Sequence, residues 1–391
     1  MTVAHSDSTG RRARELGLEL PGTPGPHNAI TDVPGVEVGY RTLIHGEGPL
    51  VVGQGPVRTG VTAILPRGRA GVGRPCAAGW YSLNGNGEMT GTTWIDEVGE
   101  LWSPITISNT HAIGACHTGV IEWINAVRPA LARQWLLPVC AETWDGYLND
   151  INGGHVIPEV VRAALDSARP GPVAEGSVGG GTGMNCYGFK GGSGTASRRI
   201  SFGAKVFTIG VFVQANFGAR AELTVTGCPV GRILDTPNPM ESDDWLERDI
   251  AAPGAGSVIV IVATDAPLDA AQCKAIARRV PLGLARTGTT GSMFSGDIFL
   301  AFSTANDRPG ATSFPARAIS EAELETRIVM PWNRMDLLYA AVVPAVEEAV
   351  LNALFVNAEM TGRDGHRSPA LPREAVLALV NSPGHRDRRP D

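Results

Sequence analysis

The chain has 391 residues, 43% hydrophobic and 18% charged, a composition ordinary for a soluble globular protein able to bury a large core. A net charge of -6, with no Arg/Lys run interleaved with aromatics, excludes a nucleic-acid footprint. The cysteines lie too far apart for C-x-x-C zinc or redox spacing, and neither a leader-like apolar stretch nor a long apolar run occurs, so the expectation is a reduced, cytoplasmic protein without a membrane span.

Residues 1–28, rich in Arg, Gly and Pro, read as an arm that orders only on docking. ITDVPGVEVGY and VRTGVTAILPRG alternate β-branched residues with turn signals and predict two early strands. The loop-heavy segment around SLNGNGEMTGTTW predicts positive φ in its NGNG turns; the tryptophans at 80–102 fit core packing or a pocket wall. ITISNTHAIGACHTGVIEWINAV passes from strand to amphipathic helix, and LLPVCAETWDGYLND is again a strand. HVIPEVVRAALDSA is a predicted helix with Val156, Val160, Ala163 and Ala164 on one face.

After the glycine-rich run 176–194, AKVFTIGVFVQANFG and ELTVTG read as a strand pair, the first apolar on both faces. Beyond a proline-rich acidic connector, SVIVIVAT is a second two-sided strand, and DAAQCKAIARRV is a helix with Asp269 as its N-cap. RTGTTGSMFSG is a small-residue loop feeding the strand DIFLAFSTAN. Helices follow near 320–328, 333–360 with an interruption at Pro344, and 372–381, before a tail, GHRDRRPD, expected to be disordered. Strands covered by helices on both sides, without a regular βαβ rhythm, predict a mixed α/β layered sandwich.

GSVGGGTGMNCYGFKGGSGT fails as a phosphate loop because Lys190 is followed by Gly191 and Gly192 where Lys-Ser/Thr is needed. Glycines this dense predict tight turns or close backbone approach. His111 and His117 match no metal-ligand spacing, no G-x-S-x-G elbow occurs, and none of the three lysines, Lys190, Lys205 and Lys274, is marked as a catalytic base. The connector DTPNPMESDDWLERDIAAPGAG instead ends abruptly at Gly256-Ser257, where a core strand begins. A serine hydroxyl can attack the preceding carbonyl, and glycine tolerates the strained backbone that this needs. Once the bond is cut, Ser257 gains a free α-amine, a weaker base than a lysine's and able to accept a proton near neutral pH.

GSVIVIVATDAPL, LARTG, SGDIFLAFSTAN, GGGTGMNCYGFKGGSGTASR, VQANFG and ETWDGYLNDING together resemble the DmpA-type L-aminopeptidase/D-esterase family, which includes the β-aminopeptidases; the likeness spans about 18–380. It implies one αββα sandwich domain over 1–391, shared with ornithine acetyltransferases and similar in architecture to N-terminal-nucleophile hydrolases. It further implies autocleavage at Gly256/Ser257 into an α chain, 1–256, and a β chain, 257–391. By motif, Ser257 is the nucleophile, Ser295 and Asp297 its relay, Asn216 the oxyanion donor and Tyr147 its assistant. Some members carry Glu where this chain has Asp297. Glu142 is the candidate to bind the substrate's ammonium, with a surface salt bridge as its alternative.

The resemblance implies a serine aminopeptidase acting on short peptides, amides or esters, needing no metal or organic cofactor, and assembled as a homo-oligomer, commonly a tetramer of αβ units. Its alternatives are a peptidase specific for N-terminal β-amino acids, an acyltransferase of the ornithine acetyltransferase type and a non-catalytic binding protein. Acyltransferase relatives are cut before threonine, which disfavours that reading for Ser257.

Overall fold

The segments VFTIGVFV, SVIVIVAT and IFLAF are apolar on both sides because the sheet they form is sandwiched. The structure, a computed structural model, describes residues 10–242, 256–307, 321 and 324–382. One sheet has the order β1-β2-β5-β6, with β1 Glu37–His45, β2 Val57–Leu65, β5 Ile105–Asn109 and β6 Val139–Thr143. The other has the order β4-β3-β12-β11-β10-β9. Its members are β3 Cys76–Ser82, β4 Glu100–Leu101, β9 Gly192–Phe202, β10 Lys205–Asn216, β11 Gly256–Thr264 and β12 Ser295–Ser303. Between β6 and β9 a short hairpin forms, β7 Asn185–Cys186 with β8 Phe189–Lys190.

Alternation along β11 assigns the layers. Ile259, Ile261 and Ala263 join Ile105, Ile107, Val139 and Phe212 in a core between the two sheets. Val258, Val260 and Val262 turn the other way, onto Val342, Val346 and Val350 of the helix Asp336–Phe355. The outer face of the smaller sheet buries Val61 and Cys140 against Cys116, Val120 and Ile124 of the helix Ile113–Val127 and against Val161 and Leu165 of the helix Pro158–Asp166. The result is the αββα sandwich that the resemblance implies, and the layered α/β arrangement that the residues predict.

Several elements lie where the sequence predicted them. Asp269 caps its helix by accepting from the Gln272 N–H at 2.8 Å. Others differ. ELTVTG is not a strand: a short 3-10 turn, Arg220–Glu222, is followed by a single bridge between Val225 and Cys228, and β10 pairs with β9 and β11 instead. The buried face of the helix Pro158–Asp166 is Val161, Ala164 and Leu165, whereas Ala163 is exposed. Residues 324–330 are not helical. The helix Asp336–Phe355 runs through Pro344 without interruption; the carbonyl that the proline cannot bond belongs to exposed Ala340, where water can take it. The connector from 243 to 255 and the tail from 383 lie outside the described residues.

Residues 10–28, expected as a loose arm, are tied down. Arg14 reaches Glu348 at 2.8 Å, and Arg12 reaches Glu175 at 2.7 Å. Among the described residues the helix Asp336–Phe355 alone is long and apolar enough to cross a membrane, but most of it is buried inside the protein. It also carries Glu348, fully buried and paired with Arg198 of β9 at 2.7 Å. Burial works to raise the Glu348 carboxyl, yet the Arg198 and Arg14 guanidinium groups outweigh it and hold the carboxyl below its ordinary range. Replacing Arg198 by Met is expected to destabilise the fold by about 3–5 kcal/mol, because a buried carboxylate loses its main partner. Urea unfolding of R198M beside the parent chain measures this; an unchanged midpoint would show that Arg14 alone suffices.

Candidate active site

β11 lies between an antiparallel neighbour, β10, and a parallel one, β12, and this pairing assembles the site. Register places Ser257 opposite Asn216 on β10 and opposite Gly296 on β12. Gly256 is required by close approach rather than by backbone strain. A Cβ at that position would lie 2.1 Å from the Asn216 carbonyl oxygen, and Gly256 is absent from the positive-φ residues. Any side chain before Ser257 would therefore push β10 away.

Ser257 is 2% exposed and shares the pleat face of Ile259 and Ile261, so its hydroxyl points between the sheets. There the Trp144 N–H donates to Ser257 Oγ at 3.3 Å. Trp144 follows directly on β6, so the smaller sheet delivers this amide to the larger one. Asn216 closes the same corner: its Nδ2 donates to the Trp144 carbonyl at 2.9 Å, and its Oδ1 accepts from the Asn185 N–H at 2.8 Å. These two bonds fix which end of the amide faces Ser257. Nδ2 keeps a second hydrogen beyond the one given to Trp144.

Ser295 and Asp297 are bonded to each other, Oγ to Oδ1 at 2.5 Å, as expected for residues two apart on a strand. Their partners across the ladder are Gly256 and Val258, one step on either side of Ser257. They have the parity of Phe299 and Ala301, which pack against the helix layer, while Ile298 and Leu300 face the inter-sheet core with Ser257. The pair consequently flanks the Ser257 backbone. Among the described bonds none joins it to the Ser257 hydroxyl, so the direct relay predicted from the sequence is not formed in this continuous chain.

A residue that the sequence reading did not single out holds that pair. Asn84 accepts the Asp297 N–H at 2.7 Å and donates from Nδ2 to Asp297 Oδ2 at 2.8 Å and to the Ser292 carbonyl at 2.9 Å. Residues 84–87 have no positive φ, contrary to the hairpin expectation for NGNG. The loop lies flat on β12, where a Cβ on Gly87 would meet Gly296 Cα at 2.7 Å. The tryptophan-rich segment thus reaches the site through its asparagine. Its signal in the sequence was the repeated Asn-Gly itself, read there only as a turn.

Glu142 on β6 is 3% exposed and accepts from the Glu88 N–H at 2.9 Å and from the Thr110 hydroxyl. Burial raises its carboxyl above the ordinary range, with the Thr110 and Glu88 bonds opposing. A surface salt bridge is therefore not its setting. Tyr147 is buried, stacks on His366 at 4.6 Å, and donates its hydroxyl to the Arg367 carbonyl at 3.2 Å. Direct help to Asn216 would require that bond to break. No group of three or more His, Cys, Asp or Glu among the described residues is arranged to hold a metal.

The profile of peptidase family S58 matches residues 28–368. The chain belongs to this family. Over 379 residues it is 47% identical to a β-peptidyl aminopeptidase, BapA, of Sphingosinicella microcystinivorans, covering 96% of this chain and 93% of that protein. The solved L-aminopeptidase D-Ala-esterase/amidase of Ochrobactrum anthropi, described as a serine aminopeptidase with a variant Ntn-hydrolase fold, superposes with a TM-score of 0.86 at 44% identity, over 96% of this chain and 99% of that one. A β-aminopeptidase of a Burkholderia species gives 0.84 at 42% identity, over 97% and 100%. This S58 chain is a serine-type aminopeptidase.

Burial raises the Asp297 carboxyl, and the Ser295 and Asn84 bonds lower it again by favouring the charged form. Removing Asn84 takes away a stabiliser of the carboxylate, so Asp297 in N84A must titrate at higher pH. The acid limb of the kcat/KM profile is expected to move upward in N84A. A limb that stays in place would separate Asp297 ionisation from turnover.

Proposed function

We propose that this S58 chain cuts itself between Gly256 and Ser257, and that the freed Ser257 then releases N-terminal residues from short peptides, amides or esters through an acyl-enzyme. The observation that carries this reading is the convergence at one sheet end: Ser257 opening β11, Asn216 across from it, and the Ser295–Asp297 pair on its other side. In the acyl-transfer step the Ser257 hydroxyl attacks the substrate carbonyl, and the new oxyanion is met by the remaining Asn216 Nδ2–H. The proton goes to the α-amine of Ser257, created by the cut, and on to the departing amine or alkoxide as the scissile bond breaks; water then hydrolyses the acyl-enzyme and frees the N-terminal residue. Ser295 and Asp297, lying along the backbone on either side, hold that amine in place and favour its protonated form. Glu142 retains acceptor capacity beyond its two described bonds and takes the substrate's ammonium.

Acceptance of N-terminal β-residues is part of this proposal, supported by two relatives described as β-aminopeptidases at 47% and 42% identity. Assembly of αβ units into a homo-oligomer belongs to it as well; exposed Trp135, Met293 and Trp332 offer apolar contact area. So does residence in the cytoplasm.

Mass analysis of denatured protein is expected to give two chains, the smaller starting at Ser257, and S257A is expected to remain one inactive chain. An intact parent chain under conditions permitting maturation would refute the cut. With β-alanyl, L-alanyl and D-alanyl p-nitroanilides, release is expected from the β-alanyl compound, and its absence there would remove β-residues from the substrates proposed. N216A should lose roughly 10²–10³ in kcat, the usual cost of one oxyanion donor. For Glu142→Gln, kcat/KM should fall by about 10–100-fold, the loss of a charged hydrogen bond, mostly through KM. An effect confined to kcat would place Glu142 elsewhere in the reaction.

A further inference from the structure

The glycine-rich run carries a feature that catalysis as described leaves unused, the fully buried Lys190. It is not a phosphate ligand, since the run is packed between the sheets: a Cβ on Gly191 would meet the Ala215 carbonyl at 2.3 Å, and one on Gly180 the Ile107 carbonyl at 2.5 Å. Lys190 Nζ donates instead to the Met184 and Gly191 carbonyls, each at 2.8 Å. The Met184 carbonyl and the Asn185 N–H are the two ends of one peptide group. That N–H is the donor to Asn216 Oδ1, also at 2.8 Å. A continuous chain of donors and acceptors therefore runs from the Lys190 amine, through the Met184–Asn185 peptide, to the Asn216 amide.

Every link in this chain is shielded from water: Lys190 is 0% exposed, Asn216 5% and Asn185 8%. Hydrogen bonds in such a setting polarise one another. An amine donor on the Met184 oxygen, most of all when charged, draws density from the peptide and strengthens the Asn185 N–H as a donor. That in turn polarises the Asn216 carbonyl and makes its Nδ2–H a better donor to negative charge. Holding a lysine here is expensive, because burial disfavours the ammonium and pulls it down to about 7 against the opposing pull of Cys186 and Asp145. A Met or Leu would fill the space without that cost, but would leave the Met184 carbonyl only the Gly191 N–H, at 2.9 Å, and the Gly191 carbonyl only the Asn357 amide, at 2.7 Å.

We propose that Lys190 is a positioning residue for the oxyanion site, fixing and polarising the Asn216 amide through the Met184–Asn185 peptide. This rests on Asn216 and Ser257 having the roles proposed above. The test measures kcat and KM per mole of cut chain for K190M, K190Q, N216A and the two double variants, with the p-nitroanilide released fastest, alongside thermal melting. K190Q keeps a donor without the charge. For K190M and K190Q we expect kcat to fall roughly 10-fold, a fraction of what losing the donor itself costs, with KM within about 2-fold. In the N216A background the same changes should have no further effect on kcat, since the route to the oxyanion is already gone.

An undiminished kcat in both single variants, or an equal loss with and without Asn216, would overturn the inference. So would failure of both K190M and K190Q to fold, which would assign Lys190 to the fold alone. A full kcat in N216A would refute the oxyanion role of Asn216 itself, whatever Lys190 does.

Discussion

The site depends on one constraint, the register of a strand held between two others. β11 pairs antiparallel with β10 and parallel with β12, and only in that register do Asn216, Ser257 and the Ser295–Asp297 pair come to the same sheet end. A slip of one residue would turn Ser257 from the inter-sheet face to the helix face. The slip is prevented by the two-sided apolar content of β11: moving Ile259 and Ile261 out of the inter-sheet core would exchange them with Val258 and Val260 along the whole strand. Gly256 sets the closeness of β10, and the hydrophobic layers set the alignment.

The same register places polar groups where water is excluded, and the structure answers each with a fixed partner. Asp297 is held by Ser295 and Asn84, Glu142 by Glu88 and Thr110, Asn216 by Trp144 and Asn185. Such groups cost free energy to bury and need no reorganisation when charge develops nearby. Both sheets contribute: Glu142 and Trp144 come from β6 and its following loop, Ser257 and Asp297 from the larger sheet. A change in how the layers stack would therefore reach the site without touching any of its side chains.

What could be read in the sequence follows the range of the interactions concerned. The Asp269 cap is a contact between near neighbours and was legible; so was the two-sided character of β10 and β11, which periodicity reports directly. The four-layer sandwich followed from those strands together with the resemblance. ELTVTG failed because β-propensity cannot tell an unpaired segment from a strand when β9, hidden in a run of Gly, Ser and Thr, takes the place beside β10. Asn84 was out of reach because its partner Asp297 lies 213 positions away. The NGNG segment misled for a related reason: Gly87 answers to Gly296 across the fold, a demand that local turn rules do not contain.

The facing of the side chains also bears on why cutting and turnover belong together in the proposed mechanism. In the continuous chain the nitrogen of Ser257 is an amide and cannot accept a proton. The described partner of its hydroxyl is the Trp144 N–H, a donor, and the Ser295–Asp297 pair lies along the backbone on the opposite face. Among the described residues no side chain is therefore in place to accept the hydroxyl proton, which in the single cutting step would pass to the Ser257 nitrogen itself as the peptide bond breaks. Hydrolysis of the Gly256–Ser257 bond would supply an acceptor, an α-amine on the same residue as the nucleophile and beside the acidic pair, without moving a strand. On this reading the sheet is built in its catalytic register before maturation, and the missing part is the base.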